Sequence, residues 1–167
     1  MTEEDDPILE KLKQRRLQQL QDQLKAKQQE EVDKTTTTNE APEPSEPPLP
    51  MSISHLTDLT FMNFMKTYSH RLPVFVDYWA PWCQPCKQIA PLVDDLAYKY
   101  HGKFIFTKLD TQANPRIPST LGIQGIPTFH IWKNEKVIAQ LVGAQPYKKF
   151  TNWLNLINDR IKSGRIS

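Results

Sequence analysis

The chain contains two cysteines, Cys83 and Cys86, and they stand three positions apart. A Cys-x-x-Cys pair can ligate a metal or cycle between dithiol and disulfide, and its sequence context favours one of these uses. Here the pair follows an apolar run at 74–79 and opens a long amphipathic segment. The free N–H groups at a helix N-terminus favour a thiolate. This context therefore favours redox chemistry.

The spacing predicts different roles for the two thiols. Cys83 lies at the cap of the predicted helix, where the dipole lowers a thiol pKa most, so we expect it to be the nucleophile. Cys86 lies one turn inside, on the apolar face, so we expect it to keep a higher pKa and to resolve the mixed disulfide. Two cysteines this close can also form a disulfide with each other. Asp77 lies within the apolar run, where burial raises a carboxyl pKa and suits it to accept a proton.

The elements that must position these residues alternate along the chain. The patterns predict strands at 51–57, 74–79, 104–109, 127–132 and 136–142, and helices at 59–68, 83–100 and 147–161. Leu59, Met62 and Met65 are expected to share one side of the first helix. In the second helix Pro85 fits the first turn, whereas Pro91 should produce a kink. The order βαβαβ followed by ββα predicts an α/β fold with a mixed central β-sheet and helices on both faces.

The first 50 residues differ in composition from the rest. They hold 7 Lys/Arg against 12 Asp/Glu and no aromatic residue, whereas the remainder holds 14 Lys/Arg against 7 Asp/Glu and all 16 aromatics. A segment without aromatics can bury little apolar surface. We therefore expect a charged N-terminal helix outside the core at 1–32, a Thr/Pro-rich linker at 33–50 and the folded domain at 51–167. Leucines at heptad spacing cover under two heptads, fewer than a coiled coil needs. We therefore expect a solvated single helix, and the alternative is that this helix binds a partner or self-associates.

Several classes of protein and site are excluded at this stage. No apolar run reaches the length of a membrane-spanning helix, and the acidic start does not resemble a secretory signal, so we expect a cytoplasmic protein. No His pair has the spacing of a zinc finger, so no metal site is expected. The basic residues of the domain are spread out, without the interleaved aromatics typical of a single-strand binder, so no nucleic acid is expected.

The segment Trp82-Cys83-Gln84-Pro85-Cys86 resembles the active site of the thioredoxin family, with Gln84 where glycine is common. Two further elements of that family follow in the same order, Gly122-Ile123-Gln124-Gly125-Ile126-Pro127-Thr128 and Val142-Gly143-Ala144. The resemblance covers about residues 51–162. It implies the thioredoxin fold for this part of the chain.

The resemblance also implies roles for residues around the dithiol. Asp77 would accept the proton of Cys86 through water, and Lys108 would lie near Asp77 and offset part of the rise in its pKa. The Ile126–Pro127 peptide bond would be cis. The surface that contacts substrates would consist of Trp82, Gln84, Pro85, Gly125, Ile126, Pro127 and Gly143. Trp79 would pack beside the site, and His130, at a position that is usually aliphatic, would be a core histidine without a redox role.

The implied function is that of a thiol–disulfide oxidoreductase that reduces protein disulfides. It would bind no cofactor and would receive electrons from an external thioredoxin reductase. Gln84 adds no positive charge to stabilise a thiolate, which favours a reductant over a strong oxidant. The alternatives are a disulfide oxidase or isomerase, and a thioredoxin-fold interaction module tethered by its N-terminal helix.

Overall fold

The computed structural model describes residues 47–166, in which strands and helices alternate. The predicted N-terminal helix and most of the predicted linker lie outside these residues. In chain order the elements are β1 (Ser54–Leu56), α1 (Phe61–Tyr68), β2 (Val74–Trp79), α2 (Gln84–Lys99), β3 (Ile105–Asp110), α3 (Arg116–Thr120), β4 (Thr128–Lys133), β5 (Lys136–Val142) and α4 (Tyr147–Lys162).

The strands form one mixed sheet in the order β1-β3-β2-β4-β5. Strand β3 is parallel to β1 and to β2, whereas β4 is antiparallel to β2 and to β5. Strand β2 therefore lies at the centre, and its first five residues are all buried. A strand buried on both faces reads as a continuous apolar run, which explains the sequence of β2. The predicted α/β architecture is confirmed.

Helices cover both faces of the sheet, and strand alternation decides which side chains meet them. On one face Phe75 of β2 packs with residues of α2 and α4, among them Val93 and Leu154. On the other face Val76 packs with residues of α1, including Phe61. Because Asp77 follows Phe75 by two positions, it projects from the face covered by α2, the helix that begins beside Cys83.

The buried face of α1 differs from the prediction. The helix begins at Phe61, and its buried residues are Phe61 and Met65, four positions apart. Leu59 precedes the helix and is 86% exposed, while Met62 is 44% exposed. The prediction was wrong at Leu59 and Met62. It placed the helix start at 59 and chose the apolar stripe 59–62–65, whereas the helix begins at Phe61 and buries Phe61 and Met65.

Helix α3 was not predicted, since five residues are too few to show a helical period. Its N-terminus is capped from far along the chain by Asp58, whose two carboxylate oxygens accept hydrogen bonds from the backbone N–H groups of Arg116 at 3.0 Å and Ile117 at 2.9 Å. These bonds satisfy donors that a helix start leaves free. They anchor α3, and with it the segment that leads to β4.

The last residues of the predicted linker contact the domain. The carbonyl oxygen of Pro47 accepts a hydrogen bond of 2.6 Å from Arg71, and Leu49 packs against the apolar cluster beneath α1. Within residues 47–166 no helix is both long enough and apolar enough to cross a membrane. The kink expected at Pro91, which lies inside α2, stays a prediction.

Candidate active site

The two cysteines stand at the junction between β2 and α2. Cys83 is the N-cap of α2 with extended backbone angles, and its Sγ accepts a hydrogen bond of 3.3 Å from the backbone N–H of Cys86. Cys83 and Cys86 are joined by a disulfide, with their Cα atoms 5.3 Å apart. The exposed residues Gln84 and Pro85 lie between them. Pro85 fits the first turn of the helix, where its missing N–H leaves no bond unmade.

Burial does not distinguish the two cysteines, since Cys83 is 3% exposed and Cys86 is 4% exposed. The sequence had indicated a buried face for Cys86 alone. What differs is their place on the helix, because the Cys83 sulfur accepts the cap hydrogen bond at the positive end of the dipole. In the dithiol form, a hydrogen bond to the charged sulfur would favour the Cys83 thiolate.

Asp77 lies on β2, six positions before Cys83, and is a buried acid, 4% exposed. Its Oδ1 has no hydrogen-bond partner among the residues that the structure describes. Burial raises the pKa of Asp77 to about 7, while Lys108 lowers it and Asp94 raises it further. A carboxyl that titrates near neutral pH can take up and return a proton under ordinary conditions.

Lys108 stands opposite Asp77 in the parallel pairing of β2 and β3. Its side chain is only 15% exposed, yet its Nζ donates a hydrogen bond of 3.0 Å to Oδ1 of Asp94 on α2. The ammonium therefore pairs with Asp94, a residue that the sequence analysis did not single out. The contact depends on how α2 packs over β3, and no spacing within the sequence reveals it.

The loop before β4 lies beside the dithiol. Ile126 packs against the small cluster formed by Ala80, Cys83 and Cys86, and the Ile126–Pro127 peptide bond is cis. The carbonyl oxygen of Pro127 accepts a 2.8 Å hydrogen bond from the N–H of Gly143. Gly143 has a φ of +81°, a value that favours glycine. It is thus tied to the loop through Pro127.

The remaining residues of the expected contact surface differ in exposure. Trp82 is 66% exposed beside Cys83. Gly125 is also exposed, and its carbonyl oxygen accepts a bond of 2.6 Å from the Thr128 hydroxyl. Pro127 is buried and Ile126 is half-buried. An exposed indole and an open backbone near a disulfide form a surface that another polypeptide can approach.

Trp79 packs against the dithiol cluster, as the resemblance implied. Its carbonyl oxygen accepts hydrogen bonds from the backbone N–H of Thr111 at 2.8 Å and from the Thr111 hydroxyl at 3.1 Å. These bonds fix the end of β2 to the segment after β3. The sequence analysis missed Thr111, because its partner is a backbone atom 32 positions away.

His130 lies on the other face of the sheet, since it pairs with Val76 of β2. It is 4% exposed, packs edge-on against the ring of Tyr78 at 5.0 Å between centroids, and its Nδ1 has no described partner. Burial lowers the pKa of His130 to about 4. The sheet separates it from Asp77. Within the described part of the chain, no three His, Cys, Asp or Glu side chains are grouped to hold a metal ion.

Comparison with known proteins agrees with this geometry. A family model described as thioredoxin matches residues 52–156. The chain is 38% identical over 105 residues to the thioredoxin of Pyropia yezoensis, an alignment that covers 63% of this chain and 96% of the relative. It is 42% identical over 93 residues to thioredoxin 1 of Nostoc sp., covering 56% and 85% of the two chains, and 42% identical over 113 residues to the thioredoxin of Griffithsia pacifica, covering 68% and 99%. With its paired cysteines at the start of α2, the chain belongs to the thioredoxin family and is a thiol–disulfide oxidoreductase.

Proposed function

We propose that the chain reduces disulfides in other proteins through a mixed disulfide on Cys83. The Cys83 thiolate attacks one sulfur of the substrate disulfide, and the other substrate sulfur leaves as a thiolate. The Cys86 thiolate then attacks the Cys83 sulfur, and the second substrate sulfur leaves. Two electrons pass to the substrate, and the protein is left with the Cys83–Cys86 disulfide.

The observation that carries this assignment is the N-cap position of Cys83. Its sulfur accepts the hydrogen bond from the Cys86 N–H at the positive end of α2. The test is insulin-disulfide reduction by the reduced protein and by Cys83→Ser and Cys86→Ser variants. We expect neither variant to turn over and Cys86→Ser alone to accumulate a covalent complex that dithiothreitol releases. A complex trapped by Cys83→Ser instead would reverse the two roles.

In this proposal Asp77 takes the proton of the Cys86 thiol. The support is its position on the face covered by α2, its buried Oδ1 without a described partner, and its pKa of about 7. When Cys86 attacks the mixed disulfide, its proton passes to the Asp77 carboxylate, and the released substrate thiolate leaves without it. Lys108 limits the rise in the Asp77 pKa. Asp77→Asn should therefore slow turnover while the first attack by Cys83 is preserved.

The substrate would lie across the exposed surface around Cys83. Ile126 contacts the dithiol cluster and can offer its backbone to an extended segment of the partner. Trp82 supplies an exposed aromatic face. The proposed contact residues are Trp82, Gln84, Pro85, Gly125, Ile126, Pro127 and Gly143.

The electrons would return from a thioredoxin reductase, and the reducing environment of the cytoplasm would suit this cycle. Gln84 is neutral, so the Cys83 thiolate gains no stabilisation from a charge between the cysteines. This favours a reductant. The measurement that separates it from an oxidase or isomerase is the reduction potential in glutathione or dithiothreitol buffers. A value well above about −200 mV would favour the oxidase or isomerase.

A further inference from the structure

Two charged residues are arranged unexpectedly around Asp77. Lys108 is its register partner on β3, and the two side chains emerge on the same face of the sheet. A lysine opposite a buried carboxyl is expected to pair with it, because an unpaired buried charge is costly. Instead the Lys108 Nζ lies 3.0 Å from Oδ1 of Asp94, and Oδ1 of Asp77 has no described partner.

The exposures of Lys108, Asp94 and Asp77 explain why Lys108 pairs with Asp94. Asp77 is only 4% exposed. Lys108 is 15% exposed and Asp94 is 60% exposed, so the lysine stem lies along the sheet while its ammonium meets a solvated carboxylate at the rim. A salt bridge at the rim keeps both charges partly hydrated. A salt bridge to Asp77 would require both charges to be desolvated, which is the more costly arrangement.

We propose that Asp94 is a positioning residue for proton transfer at Asp77, because it holds the Lys108 ammonium away from the buried carboxyl. The proposal rests on the role given above to Asp77. Asp94 acts through Lys108 and through its own negative charge, and it does not touch the reacting sulfurs. Holding Lys108 away from Asp77 and placing a negative charge near it both raise the pKa of Asp77 above its value in a protein with a neutral residue at position 94.

The surroundings of Asp77 contain few other charges that could produce this effect. Lys108 on β3 and Asp94 on α2 are the charged groups that act on it. Its partner on β4 is the apolar Phe129, and α4 contributes apolar residues such as Phe150 and Leu154 to the core on that face. Tyr100, which follows α2, belongs to the same core cluster but does not act on the charge of Asp77. Cys83 and Cys86, at the start of α2, do not titrate while they form the disulfide.

The test is an NMR titration of the Asp77 side-chain carboxyl carbon in the oxidised full-length protein. Asp94→Asn should lower the titration midpoint of Asp77 by about one pH unit, the scale expected when a cation is released towards a carboxyl. Asp94→Glu should keep the wild-type midpoint, because it retains the charge. Asp95→Asn is the matched control, since it removes the same charge from the neighbouring exposed position of α2, and it should leave the midpoint unchanged.

A second variant separates the action through Lys108 from a general loss of negative charge. Lys108→Gln should raise the midpoint by more in the Asp94→Asn background than in the wild type, because only in that background is the ammonium released from Asp94 towards Asp77. An unchanged midpoint in Asp94→Asn, or the same shift in Asp95→Asn, would overturn the proposal.

The pH profile of insulin reduction then distinguishes this proposal from the proposed function. If Asp77 accepts the proton, the acid limb of the profile should move down with the titration midpoint in Asp94→Asn. A midpoint that moves while the profile stays fixed would refute the role of Asp77, and the catalytic role of Asp94 with it. A midpoint that stays fixed refutes Asp94 alone.

Discussion

Asp77→Asn should make the oxidised protein more stable to unfolding at neutral and alkaline pH. The pKa of Asp77 rises from an ordinary value of 3.8 to about 7 in the folded protein because the carboxyl is buried. The folded state therefore holds the proton more tightly than the unfolded state does. The free energy of unfolding falls as the pH rises from 3.8 to about 7, and it stays at the lower value above that range.

The size of the effect follows from the same two values. Each pH unit between them is worth about 1.4 kcal/mol, so the charged carboxyl costs about 4 kcal/mol of stability at pH 9 as an upper bound. Asparagine carries no charge but buries an amide, which itself costs about 1–2 kcal/mol where hydrogen bonds are missing. We therefore expect a net gain of about 2–3 kcal/mol at pH 9 and little or none near pH 4.

Urea unfolding of the oxidised proteins at pH 4, 7 and 9 measures this difference. The control is Asp95→Asn, an exposed position on α2, for which the difference from wild type should stay small at every pH. The reasoning is refuted if Asp77→Asn changes the free energy of unfolding equally at pH 4 and pH 9. It is also refuted if the variant is the less stable protein at pH 9.

Four further predictions concern other parts of the chain. Brief iodoacetamide treatment of the reduced protein at neutral pH should modify Cys83 before Cys86, because Cys83 caps the helix; equal rates by mass spectrometry would contradict this. His130→Leu should remove stability loss that occurs in wild type as the pH falls from 6.5 to about 4, since the buried imidazole resists protonation; parallel urea midpoints across that range would speak against it. Gly125→Ala should leave the thermal midpoint unchanged, because its Cβ would meet no atom within 4 Å, and should raise the KM for insulin several-fold; an unchanged KM would remove Gly125 from the contact surface. Deletion of residues 1–46 should keep insulin reduction within a few-fold of the full chain, because every proposed site residue lies beyond position 76; loss of most activity would show that this segment contributes to the reaction.

The redox site could be predicted because its signals are local. The spacing of Cys83 and Cys86, the apolar run before them and the amphipathic segment after them all lie within 30 residues. These features depend on strand alternation, helical periodicity and the chemistry of a helix start, which neighbouring residues determine. The alternation of strands and helices was predictable for the same reason. Local patterns predicted α1 but not its buried face, and they missed α3, because both helices are short and have few buried residues.

Sequence alone thus predicted the Cys83–Cys86 redox pair and the burial of Asp77, both of which the structure shows. Tertiary structure alone decided that the Lys108 ammonium pairs with Asp94, 14 positions away on a helix that crosses over β3. It also decided that both cysteines are nearly inaccessible and that Asp58 caps a helix 58 positions further on. The physical reason is that each outcome depends on strand register and on packing between elements distant in the chain. Strand register and packing between distant elements cannot be read from the periodic pattern of residues within either element alone.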